Sequence, residues 1–186
     1  MSQIDRKAGH FELAAQPGNG HPRRDDKGAA IMTTIAQTLE SLGLALPPAP
    51  VPAANYVPTV RAGNLLHVSG QVSLVDGKPA FLGRLGAELD LEAGQAAARA
   101  ATLGVLAQIA AATDGSVAAV RRIVRLGVFV AATPEFTRHS EVANGASDLM
   151  AAVFGEAGRH ARAAIGVASL PRGVAVEVDA IVELAD

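Results

Sequence analysis

The stretch Ala161-Arg162-Ala163-Ala164-Ile165-Gly166-Val167-Ala168-Ser169-Leu170-Pro171-Arg172-Gly173-Val174-Ala175-Val176-Glu177-Val178-Asp179-Ala180-Ile181-Val182-Glu183-Leu184 reads as strand, turn, strand. Residues 161–168 are small and apolar after Arg162, which suits a short strand. Leu170-Pro171-Arg172-Gly173 has turn chemistry. Beyond it, Val174, Val176, Val178, Ala180 and Val182 alternate with Glu177, Asp179 and Glu183. A period of two means one face in a core and the other toward something polar.

Upstream, Ile123–Ala131 is a β-branched apolar run closed by Thr133-Pro134, again a strand. Between it and residue 161 the pattern predicts a helix over Glu135–Phe154, with a break near Asn144-Gly145. Val117–Val120 reads as one helical turn. Leu91–Ala112 is a long helix, so rich in alanine that a sheet can approach it closely. Further back, Val57–Arg61, Leu65–Ser69 (running past Gly70 into Val72–Leu74) and Phe81–Leu85 read as strands, with Asp76-Gly77 as a hairpin turn. The order β-β-β-α-β-α-β-β gives an α+β protein, a mixed sheet packed on two helices. The other face of that sheet lacks a cover within the chain, so a partner subunit is expected there.

The N-terminal end differs. Residues 1–31 mix charge, Gly and Pro without an apolar period and read as a flexible tail. Residues 32–186 then make one domain. Its first part, 32–52, is a short helix capped by Thr34, with Ile35, Leu39 and Leu42 on one face, a stop at Gly43 and a proline-rich connector. Residues 53–186 are the core.

Composition narrows the function. The chain has 186 residues, a formal net charge of -2, 49% hydrophobic residues, 3% aromatics and no cysteine. Thiol chemistry, disulfides and cysteine-ligated metal are excluded. A near-neutral charge and scarce aromatics disfavour a nucleic-acid surface. No membrane span and no signal peptide is visible, and the expected location is cytoplasmic. The histidines show no metal-ligand spacing; His139 and His160 read as surface residues, and His67 as a strand residue facing away from Leu66 and Val68.

Arg162 and Glu177 are the chemical candidates. An arginine opening an apolar strand can fork onto a carboxylate, and a half-buried glutamate can move protons. Fifteen residues apart on neighbouring strands, the two are expected to sit close across a hairpin. A strand-end ion pair and a polar strand face are the plainer readings of the same residues.

Ala161-Arg162 through Ser169-Leu170-Pro171 and on to Val176-Glu177-Val178-Asp179-Ala180-Ile181, with Gly63-Asn64-Leu65-Leu66-His67-Val68-Ser69-Gly70-Gln71 and Tyr56 upstream, resembles the reactive-intermediate deaminase family, also called the YjgF, RidA or L-PSP endoribonuclease family. The resemblance covers residues 53–186. It implies a chorismate-mutase-like (bacillus type) fold and a homotrimer whose sheets form an inner barrel, with ligand clefts between subunits. Its deaminating members hydrolyse small 2-imino or enamine carboxylic acids to 2-keto acids and ammonia, with no metal or cofactor. Carried over, Arg162 would grip the substrate carboxylate and Glu177 would activate water. Gly70 would offer backbone contacts, and Tyr56 and Ala164 would line the cleft. Ala164 stands where the family commonly has cysteine, and Val57-Pro58-Thr59-Val60 replaces the usual Ser-Gln-Ala-Val. The alternative from a different class is a non-catalytic homotrimer that binds a small carboxylate. Ribonuclease activity is disfavoured for want of a basic groove and a histidine pair.

Overall fold

The alternating strand becomes the spine of the sheet. In this computed structural model, which describes residues 33–51 and 54–186, the elements run α1 (Ile35–Ser41), β1 (Thr59–Ala62), β2 (Leu65–Val72), β3 (Leu74–Val75), β4 (Lys78–Pro79), α2 (Leu91–Ala112), β5 (Val120–Ala131), α3 (His139–Val142), α4 (Asn144–Phe154), β6 (Ala161–Val167) and β7 (Val176–Leu184). The tail expected at 1–31 lies outside the described residues. Five strands form one sheet in the order β1-β2-β7-β5-β6. β5 and β6 are parallel; the other neighbours are antiparallel. The sheet is therefore mixed, and the chain is α+β as expected.

Helices cover one face. Val176, Val178, Ala180, Val182 and Leu184 of β7 are buried there with Leu126, Val128 and Val130 of β5. Against them lie Ala97, Ala101, Val105 and Ile109 of α2, and Ala146, Met150 and Val153 of α4. Small side chains let these layers close up. At Gly145 a Cβ would collide with the backbone carbonyl of Gln95, so α4 crosses α2 nearly backbone to backbone. Asp90 caps α2, accepting from the Ala93 N–H at 2.9 Å. Thr34 caps α1 in a reciprocal box: Thr34 Oγ1 accepts from the Gln37 N–H, and Gln37 Oε1 accepts from the Thr34 N–H. α1 buries Ile35 and Leu39, and Gly43 ends it with φ +72°.

Three local expectations are corrected. Phe81–Leu85 is not a strand. Phe81, Gly83 and Gly86 have positive φ, which breaks extension, and only single bridges from Leu82 and Leu85 remain. Val117–Val120 is a turn, closed by the Val120 N–H on the Val117 carbonyl, and Val120 already opens β5. The second helix begins at His139 rather than Glu135 and divides at Ala143. The hairpin at Asp76-Gly77 forms, with positive φ at both residues, joining β3 to β4.

Candidate functional site

The predicted neighbours Arg162 and Glu177 are separated. β6 and β7 are not adjacent, because β5 lies between them. Arg162 is in register with Leu126, and Leu126 with Ala180; Glu177 is in register with Phe129, and Phe129 with Ile165. Leu126 and Phe129 are three apart on one strand and face opposite sides. Arg162 therefore lies on the helix side of the sheet and Glu177 on the open side. Two strand spacings and three residues put their backbones roughly 14 Å apart. The physical reason is that β5 is apolar on both sides from Leu126 to Ala131 and takes an inner place there, which pushes β6 to the edge. Closeness in sequence made no strand pair.

Glu177 belongs to a first half-site. β2 carries an irregularity between Val68 and Gln71, which sets Gly70 against Glu177. A Cβ on Gly70 would overlap Glu177 Oε1, so only glycine leaves room for this carboxyl. Tyr56, Gly70, Glu177, Arg172, Pro50 and Val51 all line one cavity of 170 Å³. Three residues proposed from sequence are thus brought together. Burial pushes the Glu177 carboxyl above its ordinary pKa, and the neighbouring Asp179 charge adds to the shift. Glu177 has no hydrogen-bond or ion-pair partner among the described residues. Asp179 does: it accepts from the Gly127 N–H at 2.9 Å and meets Arg125 at 3.3 Å. Glu183 is engaged by Arg121 and Arg122. Of the three acidic residues on β7, the one in the cavity is the one left free.

Sequence reasoning missed the cavity's other wall. Pro50 lies in the proline connector, and the buried Gln108 of α2 donates to its carbonyl at 2.7 Å. Arg172 was read only as part of a turn. It has φ +60°, a conformation that costs a non-glycine residue about 1 kcal/mol. A basic residue in a Leu-Pro-x-Gly turn was the available signal.

Arg162 forms the second half-site, on the edge strand. Its Nη1 donates to Asn144 Oδ1 at 3.1 Å and to Ser147 Oγ at 2.9 Å, and its Nη2 donates to the Ser140 carbonyl at 3.1 Å. A guanidinium has five N–H donors, so the Nε–H and one Nη2–H remain without a partner among the described residues. The side chain is exposed. Ala164 shares the helix-side face and is half-buried against the core. Farther along the same face, Gly166 packs on His139, and a cavity of 370 Å³ opens between Thr133, Phe136, His139 and Gly166. The ring of His139 meets that of Phe136 edge-on at 5.5 Å. Asn144 and Ser147, which bond Arg162, and His160, which bonds Ser147, were not singled out as site residues from sequence, because they come from α4 and from the approach to β6.

No group of three or more His, Asp or Glu among the described residues has metal-holding geometry, and no helix there is long and apolar enough to cross a membrane.

Known proteins are similar to this chain in sequence and fold. The Trypanosoma cruzi protein called Protein TCP17 is 55% identical over 151 residues, covering 81% of this chain and 94% of that one. The crystal structure of Atu1372 from Agrobacterium tumefaciens, a protein of unknown function, is 48% identical with a TM-score of 0.77, covering 81% of this chain and 92% of that one. E. coli TdcF, solved with bound serine, shares the fold at 23% identity, with a TM-score of 0.53 over 83% of this chain and 98% of that one. Residues 36–184 match a single family along nearly the whole described length, and by that match the chain belongs to the YjgF/chorismate-mutase-like endoribonuclease family.

Proposed function

We infer that the protein is a hydrolytic deaminase of small 2-imino or enamine carboxylic acids, working as a homotrimer. The observation that carries this reading is the division of the site. One half offers a cation with two vacant donors at a sheet edge. The other offers a free carboxyl of raised pKa in a small cavity lined by Tyr56 and Gly70. Within one chain they lie on opposite faces, so joining them takes a second copy. The open face suits such an assembly: Val60 and Ile165 stand about half exposed on its two outer strands.

In the joined site, Arg162 binds the substrate carboxylate through its two vacant N–H groups. Glu177 of the neighbouring copy takes a proton from water as oxygen attacks C2 of the iminium. It returns that proton to the nitrogen of the carbinolamine and takes up the hydroxyl proton as the C–N bond breaks, giving the 2-keto acid and ammonia, which leaves as ammonium with that last proton. A carboxyl with a raised pKa serves both transfers, since it accepts and releases a proton near neutrality more readily than an ordinary one.

The test is an imine hydrolysis assay. Imino acids are generated in situ from serine and from bulkier amino acids, and Arg162→Ala and Glu177→Gln are run beside the parent. Arg162→Ala is expected to raise KM by at least ~10-fold, and Glu177→Gln to lower kcat by ~100-fold or more. A parent inactive across the panel refutes the deaminase. If it still binds the 2-keto acids through Arg162, the non-catalytic carboxylate binder takes its place.

A further inference from the structure

Arg162 is held from behind by a chain of hydrogen bonds that runs one way. His160 Nδ1 lies 2.6 Å from the Gly158 carbonyl oxygen. A carbonyl only accepts, so Nδ1 carries the proton and the neutral ring keeps its lone pair on Nε2. Nε2 is 3.0 Å from Ser147 Oγ. The serine therefore donates its proton to Nε2, which turns an oxygen lone pair toward Arg162 Nη1 at 2.9 Å. Each link fixes the next: Gly158 carbonyl, His160, Ser147, Arg162. A serine without His160 is a free rotor, and in some of its positions its own O–H points at the guanidinium.

The edge left open matters as much as the edge that is held. Ser147 and Asn144 occupy both Nη1 protons, and Ser140 takes one of Nη2. The Nε–H and the second Nη2–H are left, and Nε and Nη2 share the edge of the guanidinium opposite Nη1. That edge matches the two oxygens of a carboxylate. We propose that His160, acting through Ser147, is a positioning residue that presents this edge of Arg162 to a ligand carboxylate. The inference rests on the clamp role of Arg162 given above, and it adds the residue that sets the clamp.

A serine backed by a histidine that a carbonyl orients is also the arrangement of an activated nucleophile. The placement argues against that use. Ser147 Oγ sits at the Nη1 end, so a ligand held on the Nε edge has the guanidinium between it and the hydroxyl.

The experiment combines the nitrogen-15 spectrum of the His160 ring with binding of two probes, 2-oxobutanoate and its neutral amide. Wild type is expected to show the Nδ1–H tautomer and to prefer the carboxylate. His160→Leu removes the acceptor for the serine proton, and is expected to weaken 2-oxobutanoate binding by ~10-fold while leaving the amide unchanged. His160→Gln offers Oε1 near the place of Nε2, and is expected to restore the carboxylate affinity to within about threefold. Ser147→Ala, one link nearer, gives the same selective loss and serves if His160→Leu does not fold. Equal weakening of both probes, or a glutamine no better than leucine, overturns the proposal. So does labelling of Ser147 by a fluorophosphonate that His160→Leu abolishes. An Nε2–H tautomer with intact 2-oxobutanoate binding overturns this inference alone. A wild type with the Nδ1–H tautomer that binds neither probe overturns the clamp and the positioning role together.

Discussion

Glu177 and Gly70 make a pair in which each explains the other. The carboxyl is partly withdrawn from water and faces the Asp179 charge, and it fits only because residue 70 has no side chain. Gly70→Ala is expected to displace Glu177 and to cost about 1–3 kcal/mol by overpacking, read by chemical denaturation, with a fall in activity. The raised pKa also has a sign for stability. The folded state holds the Glu177 proton more tightly than the unfolded chain does. Stability therefore falls as pH rises from the ordinary carboxylate pKa through the raised one, and the loss persists above it. Glu177→Gln is expected to melt higher than the parent at pH 7, with the difference closing as the pH drops below the ordinary carboxylate range. A thermal melt series over pH reads this. A parent that melts above the variant at pH 7 contradicts it.

At the scale of elements, the helix ends and turns were written locally. Thr34, Asp76-Gly77 and Asp90 act where their side chains or backbone preferences place them. Thr34→Ala removes the hydroxyl that accepts the Gln37 N–H in the α1 capping box and is expected to cost about 1 kcal/mol, seen as a lower denaturation midpoint. Gly145→Ala tests the α2–α4 crossing. Its methyl group meets a carbonyl that cannot rotate away, and a loss of about 3 kcal/mol is expected on the same scale. The strand at 176–184 was legible because alternation reports burial directly. Strand order was not: nothing in residues 161–184 says that β5 will enter between β6 and β7. For the same reason Arg162 and Glu177 were found as residues and misjudged as neighbours. Phe81–Leu85 misled in another way, since an apolar run does not reveal that its backbone turns at Phe81 and Gly83. The partners of Arg162 escaped notice because Asn144, Ser147 and His160 become a group only after α4 packs beside β6.

For the whole molecule, the sheet has one dry face and one unfinished one. The helix side is closed by the core, while Val60 and Ile165 remain half exposed on the open side. If three copies close there, sedimentation should give three times the mass of the chain. Ile165→Glu, at an exposed position where a monomer would tolerate a charge, should then drop the mass to that of a monomer or dimer without unfolding. A parent that sediments as one chain rules out the shared site.

The tie between Gln108 and the Pro50 carbonyl has a consequence for how this protein diversifies. The carboxyl and its glycine are part of the sheet and cannot change independently. The opposite wall of the same cavity, at Pro50 and Val51, is a strap laid on from outside the sheet and held at the Pro50 carbonyl by the buried Gln108 amide. The chemistry is thus built into the scaffold, while the gatekeeper is detachable. Exchanging residues 44–51 between relatives should transfer ligand preference from one to another and leave the reaction unchanged.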